Sequence, residues 1–190
     1  IFSFNFHKII QCGEGGVILT NNDKLAYRAQ LIRNHGEVVI DDLQQDEPII
    51  GSNYRLSEIH AAIAIEQFKK LDFLVEQRVN LANYLTEQLK QFNWLTPPDV
   101  RLDDVHTYYV YPIKFKKDNI DINRSTFIKA ISAEGFNLIP GYQKPLYLLS
   151  LYQQQKIYPL NTKYSHELNY QQGSCPVTER MYNDEMIYTT

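Results

Sequence analysis

The chain has 190 residues, of which 44% are hydrophobic and 22% charged, with a formal net charge of -3. That balance suits a folded globular protein of one large or two small domains; it excludes a long disordered tract and argues against a nucleic-acid backbone or an anionic membrane as partner. Two cysteines, Cys12 and Cys175, exclude a disulfide framework; with no membrane-length apolar run and no signal peptide visible, the cytoplasm is the expected compartment.

Residues 1–10 read as a short buried strand, followed by the glycine-rich loop Cys12-Gly13-Glu14-Gly15-Gly16 and a second strand over Val17-Ile18-Leu19. A helix is expected from Asp23 to about Asn34, with Leu25, Tyr27 and Ala29 competing with Leu31 and Ile32 for its buried side. His35-Gly36 supplies its stop, because a glycine suits the residue after a helix. Residues 37–52 are irregular and acidic, with Asp41, Asp42, Asp46 and Glu47. Ser57 is a good N-cap for the next helix, whose buried row is Ile59, Ile63, Phe68 and Leu71 with Ala61, Ala62 and Ala64 beside it. The apolar period runs on through Leu74, Val75, Val79, Leu81, Leu85 and Leu89, longer than an ordinary globular helix. A long helix kinked near Leu71-Asp72 suits a connector, and a domain boundary is placed there.

His106 to Phe115 is rich in Tyr, Val and Ile, which is strand chemistry, and the Lys114, Lys116 and Lys117 run at its end reads as a solvated edge. Ser125 to Glu134 reads as a helix ending at Gly135, Phe136 to Ile139 as a strand ending at Pro140-Gly141, and residues 141–175 as loop with one short helix around Leu146 to Gln153. The alternation indicates an α/β C-terminal domain. Ile1-Phe2-Ser3-Phe4 and Met186-Ile187-Tyr188-Thr189-Thr190 are both strand-like, so the chain is expected to be a piece of a larger fold.

The most suggestive local unit is Ser3-Phe4-Asn5-Phe6-His7-Lys8 followed by Gly13-Glu14-Gly15-Gly16. A lysine amine does covalent chemistry only when unprotonated, so it needs burial or a cationic neighbour, and a glycine loop lets backbone approach another group closely. The bland reading of Lys8 is a snorkelling surface residue. No His, Cys or carboxylate cluster has metal spacing.

Four stretches in series, Ser3–Lys8, Gly13–Asn21, Arg33–Gly36 and Asn53–Gln67, resemble the DegT/DnrJ/EryC1/StrS aminotransferases. Gly141–Tyr147 and Cys175–Arg180 resemble that family's substrate loop and last turn more loosely. The resemblance implies an α/β, fold-type I pyridoxal 5'-phosphate (PLP) enzyme, with part of the large α/β/α domain over 1–71 and a small α/β domain over 72–190. It implies transfer of an amino group from glutamate or glutamine to a keto sugar or keto cyclitol, in polysaccharide or secondary-metabolite synthesis. Lys8 would carry PLP as a Schiff base and shuttle a proton, Ser3 would bind the cofactor phosphate, and Asn53 and Arg55 would reach that phosphate in the partner subunit of a homodimer. The residues that stack on the ring, hold its nitrogen and grip the phosphate from a helix N-terminus would lie upstream of Ile1.

Competing readings stand beside these roles. Ser3 could simply end a strand, Asn53 could be a turn residue before the Ser57 cap, and Arg55 could pair with the acidic loop. Tyr142, Lys144 and Tyr147 lie where the substrate loop falls and suit a sugar or a sugar-linked diphosphate, although with 14 tyrosines in the chain chance placement competes. Glu14 reads either as tuning the site by charge or as a bystander among glycines, and His35 and His60 read as helix-end and packing residues. Some relatives that dehydrate sugars carry histidine in place of the lysine; retention of Lys8 favours transamination over a dehydratase or an inactive regulatory homologue.

Overall fold

Asn and Ser side chains set three of the helix starts, and where apolar cover exists sets which faces are buried. The structure, a computed structural model, describes residues 1–37, 49–154 and 170–190. The acidic residues Asp41, Asp42, Asp46 and Glu47, and residues 155–169 of the long Tyr- and Gln-rich loop, lie outside the described residues. The chain divides into two units, Ile1–Gln77 and Arg78–Thr190.

In the first unit, β1 (Phe2–Ser3) pairs antiparallel with β2 (Gly16–Val17), Phe2 opposite Val17 and Ser3 opposite Gly16. The expected buried strand over 1–10 is thus two residues long, and Phe2 is 57% exposed. It stops early because Asn5 folds the chain back: its main-chain oxygen accepts the Lys8 N–H at 2.8 Å and its Oδ1 the His7 N–H at 3.2 Å. The second strand likewise stops at Val17, leaving Ile18 and Leu19 exposed.

Helix α1 (Asp23–Arg33) starts where Asn22 Oδ1 accepts the Leu25 N–H at 3.2 Å and carries Asp23 and Arg33 at the dipole-favoured ends. It ends as expected at His35-Gly36, where both residues have positive φ and the Gly36 N–H returns to the Leu31 carbonyl at 2.8 Å. Neither expected face is buried as a whole: Leu31 is buried, Tyr27 and Ala29 are half-buried, and Leu25 and Ile32 are exposed. Gly36 is required twice over, because a Cβ there would also lie 2.2 Å from the Ile49 carbonyl.

Helix α2 (Glu58–Phe68) is capped by Ser57, whose Oγ accepts the His60 N–H at 3.3 Å. Its expected buried row is exposed instead: Ile59, Ile63 and Phe68 face out and Ala64 is the buried residue. Periodicity identifies the apolar stripe but not what covers it, and among the described residues nothing does. The helical run breaks at Lys69-Lys70, and α3 (Leu71–Leu89) follows, as the expected kink required.

The second unit is a four-stranded antiparallel sheet in the order β3 (Leu95–Thr96), β4 (Tyr111–Phe115), β6 (Met186–Thr189), β5 (Ile139–Pro140). Alternation along β4 buries Tyr111, Ile113 and Phe115, and Ile113 sits opposite the fully buried Ile187. Ala82 and Leu89 of α3 and Phe127 of α4 (Arg124–Ala133) complete the core. Trp94 meets Phe127 edge-on at 4.9 Å and Phe115 at 5.9 Å. Helix α4 starts where Asn123 Oδ1 accepts the Thr126 N–H at 2.8 Å and ends before Gly135 at φ 89.

The strand expected from His106 begins only at Tyr111. Tyr108 has φ 49, its N–H bonded to His106 Nδ1 at 2.9 Å and its carbonyl to Arg78 Nη1 at 3.0 Å, so the chain turns there. The strand expected over 136–139 moves to Ile139–Pro140 because only those residues pair with β6. The short helix near 146–153 is a 3-10 turn, Leu146–Leu148, followed by α5 (Ser150–Gln153). Lys114 is no solvated edge: β4 lies between two strands, and its Nζ meets Glu185 at 3.3 Å.

The sequence reading did not foresee α6 (Pro176–Arg180) or the π turn Met181–Glu185. The Arg124 guanidinium donates to the carbonyls of Tyr182 (3.0 Å), Met186 (2.9 Å) and Asn183, satisfying acceptors that the wide turn leaves open.

Removing the Ile187 side chain opens a cavity at the centre of this sheet. Ile187→Ala is expected to cost about 2–5 kcal/mol, read as a lower urea midpoint in the fluorescence of Trp94, the one tryptophan of the chain.

Candidate functional site

Around Lys8, the chain makes a small closed circuit. The Phe4 N–H bonds to the Gly15 carbonyl at 2.8 Å and the Cys12 N–H to the Phe4 carbonyl at 3.0 Å, tying the turn to the glycine loop. Asn5 Nδ2 donates to Glu14 Oε1 at 2.7 Å, and the Asn5 N–H meets Ser3 Oγ at 3.3 Å. Lys8 is half-buried on this turn and Ser3 exposed. Because a hydroxyl can accept and donate together, Ser3 keeps an O–H donor after accepting from Asn5. Glu14 joins the site through this bond, an outcome the sequence reading left open.

The glycines serve close packing. A Cβ on Gly15 would lie 2.7 Å from Leu56 Cδ1, and one on Gly16 would lie 2.8 Å from the Phe2 carbonyl. Leu56 belongs to the segment carrying Asn53 and Arg55, so the glycine loop and that segment meet directly. A concavity of about 790 Å³ lies between them, lined by Phe4, Val17, Tyr54, Arg55, Leu56 and Phe68 among others.

Asn53 and Arg55 are held by the end of α1. An isolated bridge pairs Asn34 with Asn53, the Tyr54 N–H bonds to the Arg33 carbonyl at 3.0 Å, and the Ser52 N–H to the Ile32 carbonyl at 2.9 Å. Asn53 is a turn residue, its Oδ1 accepting the Arg55 N–H at 3.3 Å; this uses the acceptor end of the amide and leaves its N–H groups as donors. Arg55 Nη1 donates to Asn34 Oδ1 at 2.7 Å, a neutral partner that leaves the cation's charge uncompensated by that bond. His60 Nδ1 lies 2.7 Å from Ser57 Oγ, the helix-end role expected of it. Lys8 and Ser3 share the hydrogen-bonded circuit of the first turn, whereas Asn53 and Arg55 are held separately by the end of α1, and neither lies in that circuit.

The three candidates in the second unit separate into different roles. Tyr142 is 46% exposed and meets Tyr188 edge-on at 5.3 Å. Partial burial raises its hydroxyl, aided by a hydrogen bond to Tyr109. Lys144 is exposed. Tyr147 instead donates its hydroxyl to Glu179, the one buried charged residue among the described residues. Glu179 also accepts the Gly173 N–H at 2.7 Å, and Gln153 Nε2 bonds to the Tyr147 carbonyl at 2.6 Å and to the Tyr170 carbonyl.

Glu179 went unnoticed in the sequence. Proline at the first position of α6 was the available signal for a helix start, but nothing in the spacing ties residue 179 to residue 147. Asn5, within the unit singled out around Lys8, received no role of its own, although an Asn two residues after a serine and three before a lysine is turn chemistry.

The profile of the DegT/DnrJ/EryC1/StrS aminotransferase family matches residues 1–189. A UDP-4-amino-4,6-dideoxy-N-acetyl-beta-L-altrosamine transaminase of Helicobacter pylori is 31% identical over 154 residues, 81% of this chain and 40% of that protein. The L-glutamine:scyllo-inosose aminotransferase of Streptomyces griseus is 28% identical over 155 residues, 77% of this chain and 37% of that protein. Among solved structures, Helicobacter pylori PseC, an aminotransferase of pseudoaminic acid biosynthesis, superposes with a TM-score of 0.75 at 28% identity, over 98% of this chain and 46% of that one. The fold is therefore part of the fold-type I aminotransferase fold, and the chain spans at most about half the length of the curated relatives it matches. Among the described residues, no helix is long and apolar enough to cross a membrane.

Burial, and then the bond to Glu179, push the Tyr147 hydroxyl up to about 12. The Tyr147 hydroxyl, and then the Gly173 N–H, hold the Glu179 carboxyl below its usual range. A raised phenol contributes its full stability below the unfolded value of 10.0 and loses it as pH climbs to about 12. The depressed carboxyl contributes above the ordinary carboxylate range and is lost on acidification. Tyr147→Phe is expected to melt below wild type at neutral pH, and the gap should narrow from pH 10 to 12 in thermal melts.

Proposed function

Because the chain belongs to the DegT/DnrJ/EryC1/StrS aminotransferase family, we propose that it forms the lysine-bearing part of a PLP-dependent aminotransferase. Its substrates are an amino-acid donor, glutamate or glutamine, and a keto sugar, nucleotide-linked, or a keto cyclitol. The observation that carries this reading is Lys8: an amine half-buried on a turn pinned to the glycine loop, with the Ser3 hydroxyl on the same hydrogen-bonded circuit. The two relatives support the substrate range, one named for a UDP-linked amino sugar and one for a cyclitol with glutamine as donor.

The cofactor supplies the electron sink when bound. Lys8 Nζ would hold it covalently, and its amine when free would serve as the acid-base group that moves a proton between neighbouring carbons. Ser3 would donate to the cofactor phosphate through the O–H that it keeps after accepting the Asn5 N–H. Asn53 would contribute neutral N–H donors and Arg55 a planar cation to the cofactor phosphate of a partner subunit, in a homodimer with shared sites. Tyr142 and Lys144 are assigned to the substrate; Tyr147, given its bond to Glu179, contributes by shaping the loop. Residues 1–71 belong to the cofactor-binding domain and 72–190 to the linker and small domain, in a cytoplasmic enzyme of polysaccharide or secondary-metabolite synthesis. A dehydratase is disfavoured because position 8 keeps lysine.

In the complete protein, Lys8→Ala is expected to abolish borohydride-stable attachment of PLP and to lower amino-sugar formation by at least about 100-fold, the lower bound for loss of a positioned acid-base group. A complete protein that binds PLP yet aminates no keto sugar or cyclitol with any donor would overturn the reading.

A further inference from the structure

Asn5 occupies an unusual position in the site's hydrogen bonding. Its N–H meets Ser3 Oγ at 3.3 Å, its carbonyl accepts the Lys8 N–H at 2.8 Å, its Oδ1 accepts the His7 N–H at 3.2 Å, and its Nδ2 donates to Glu14 Oε1 at 2.7 Å. One residue thus joins both candidate cofactor contacts, Ser3 and Lys8. The amide orientation is determined by its partners, since a backbone N–H requires the oxygen end and a carboxylate requires the nitrogen end. Among these four bonds, the one to Glu14 alone ties Asn5 outside the turn, onto the glycine loop across nine residues of sequence.

We propose that Asn5 and Glu14 form a positioning pair that fixes Lys8 and Ser3 in the mutual geometry the cofactor needs. The Glu14 carboxylate anchors the Asn5 amide; the amide then holds the His7 N–H, and the same residue's carbonyl holds Lys8. Without the anchor, the Phe4 bonds to Gly15 and Cys12 still tie the start of the turn to the glycine loop. The Asn5 amide and the His7–Lys8 end beyond it lose the side-chain tie to that loop through Glu14, and the amine no longer keeps a fixed position relative to the Ser3 hydroxyl. The bond to an ionised acceptor is stronger than a neutral one, which suits an anchor placed at the surface. This inference rests on the assignment of Lys8 to the cofactor, and its test keeps the two apart.

The pair is tested in the complete protein with four variants. Glu14→Ala and Asn5→Asp both break the anchor, the second by setting carboxylate against carboxylate. Glu14→Gln keeps an oxygen acceptor. Asn5→Asp combined with Glu14→Gln rebuilds the bond in reverse, amide on residue 14 to carboxylate on residue 5.

Two quantities are read: amide hydrogen exchange of the peptide containing His7 and Lys8 in the cofactor-free protein, and the rate at which added PLP is captured on Lys8 by borohydride. Glu14→Ala and Asn5→Asp are expected to speed exchange and slow capture by about tenfold each, the ratio that one lost hydrogen bond to a charged group supports. Glu14→Gln and the double variant should recover to within about threefold of wild type.

The pair is refuted by unchanged capture in Glu14→Ala, even with faster exchange, or by a Glu14→Gln loss as large as that of Glu14→Ala, which would assign the effect to charge. If the wild-type protein captures no PLP on Lys8, the cofactor assignment fails together with the pair's role in it. Exchange still decides whether Glu14 anchors the turn.

Discussion

Where β1 meets β2, backbone lies against backbone with no room for a side chain. The Gly16 position opposite Ser3 leaves only 2.8 Å between an added Cβ and the Phe2 carbonyl, and Gly15 leaves 2.7 Å to the Leu56 side chain. That close approach holds the Lys8 turn on one side and the Asn53–Arg55 segment on the other. Covalent chemistry at an amine demands placement to a fraction of an ångström, and the turn bearing Lys8 is held by backbone contact and short polar bridges rather than by a large apolar core.

The sequence was most legible where local chemistry decides. Asn22, Ser57 and Asn123 start helices by bonding their own neighbours, and Gly36 and Gly135 end them through positive φ, so α1, α2 and α4 fall close to their expected bounds. Motif order pointed to the family, whose model matches residues 1–189, and the roles of Lys8, Ser3, Asn53 and Arg55 are proposed from that order.

It was least legible where tertiary contact decides. The apolar row of α2 was read as core because periodicity reports hydrophobicity, not cover, and Ile59 and Phe68 stand exposed. The strand expected from His106 was displaced by the φ of Tyr108, which depends on Arg78, 30 residues earlier in the chain. The partnership of Tyr147 with Glu179 spans 32 residues and has no period or spacing that could announce it. Three of the Asn5 bonds are local turn bonds, and the fourth reaches Glu14 nine residues on with no sequence spacing that marks it.

Topology adds a constraint of its own to the second unit. Strand β6 lies between β4 and β5, and β5 pairs with nothing else in the sheet. On the ribosome, β3 and β4 can close as soon as residue 115 has emerged, whereas β5 must wait, its edge unpaired, until residues 186–189 are made. Ile187, at the centre of the core, arrives at the same moment. Vectorial synthesis therefore leaves this unit with an open sheet for most of its translation, and a nascent chain paused before β6 is the form most exposed to capture by a chaperone or by another unpaired strand.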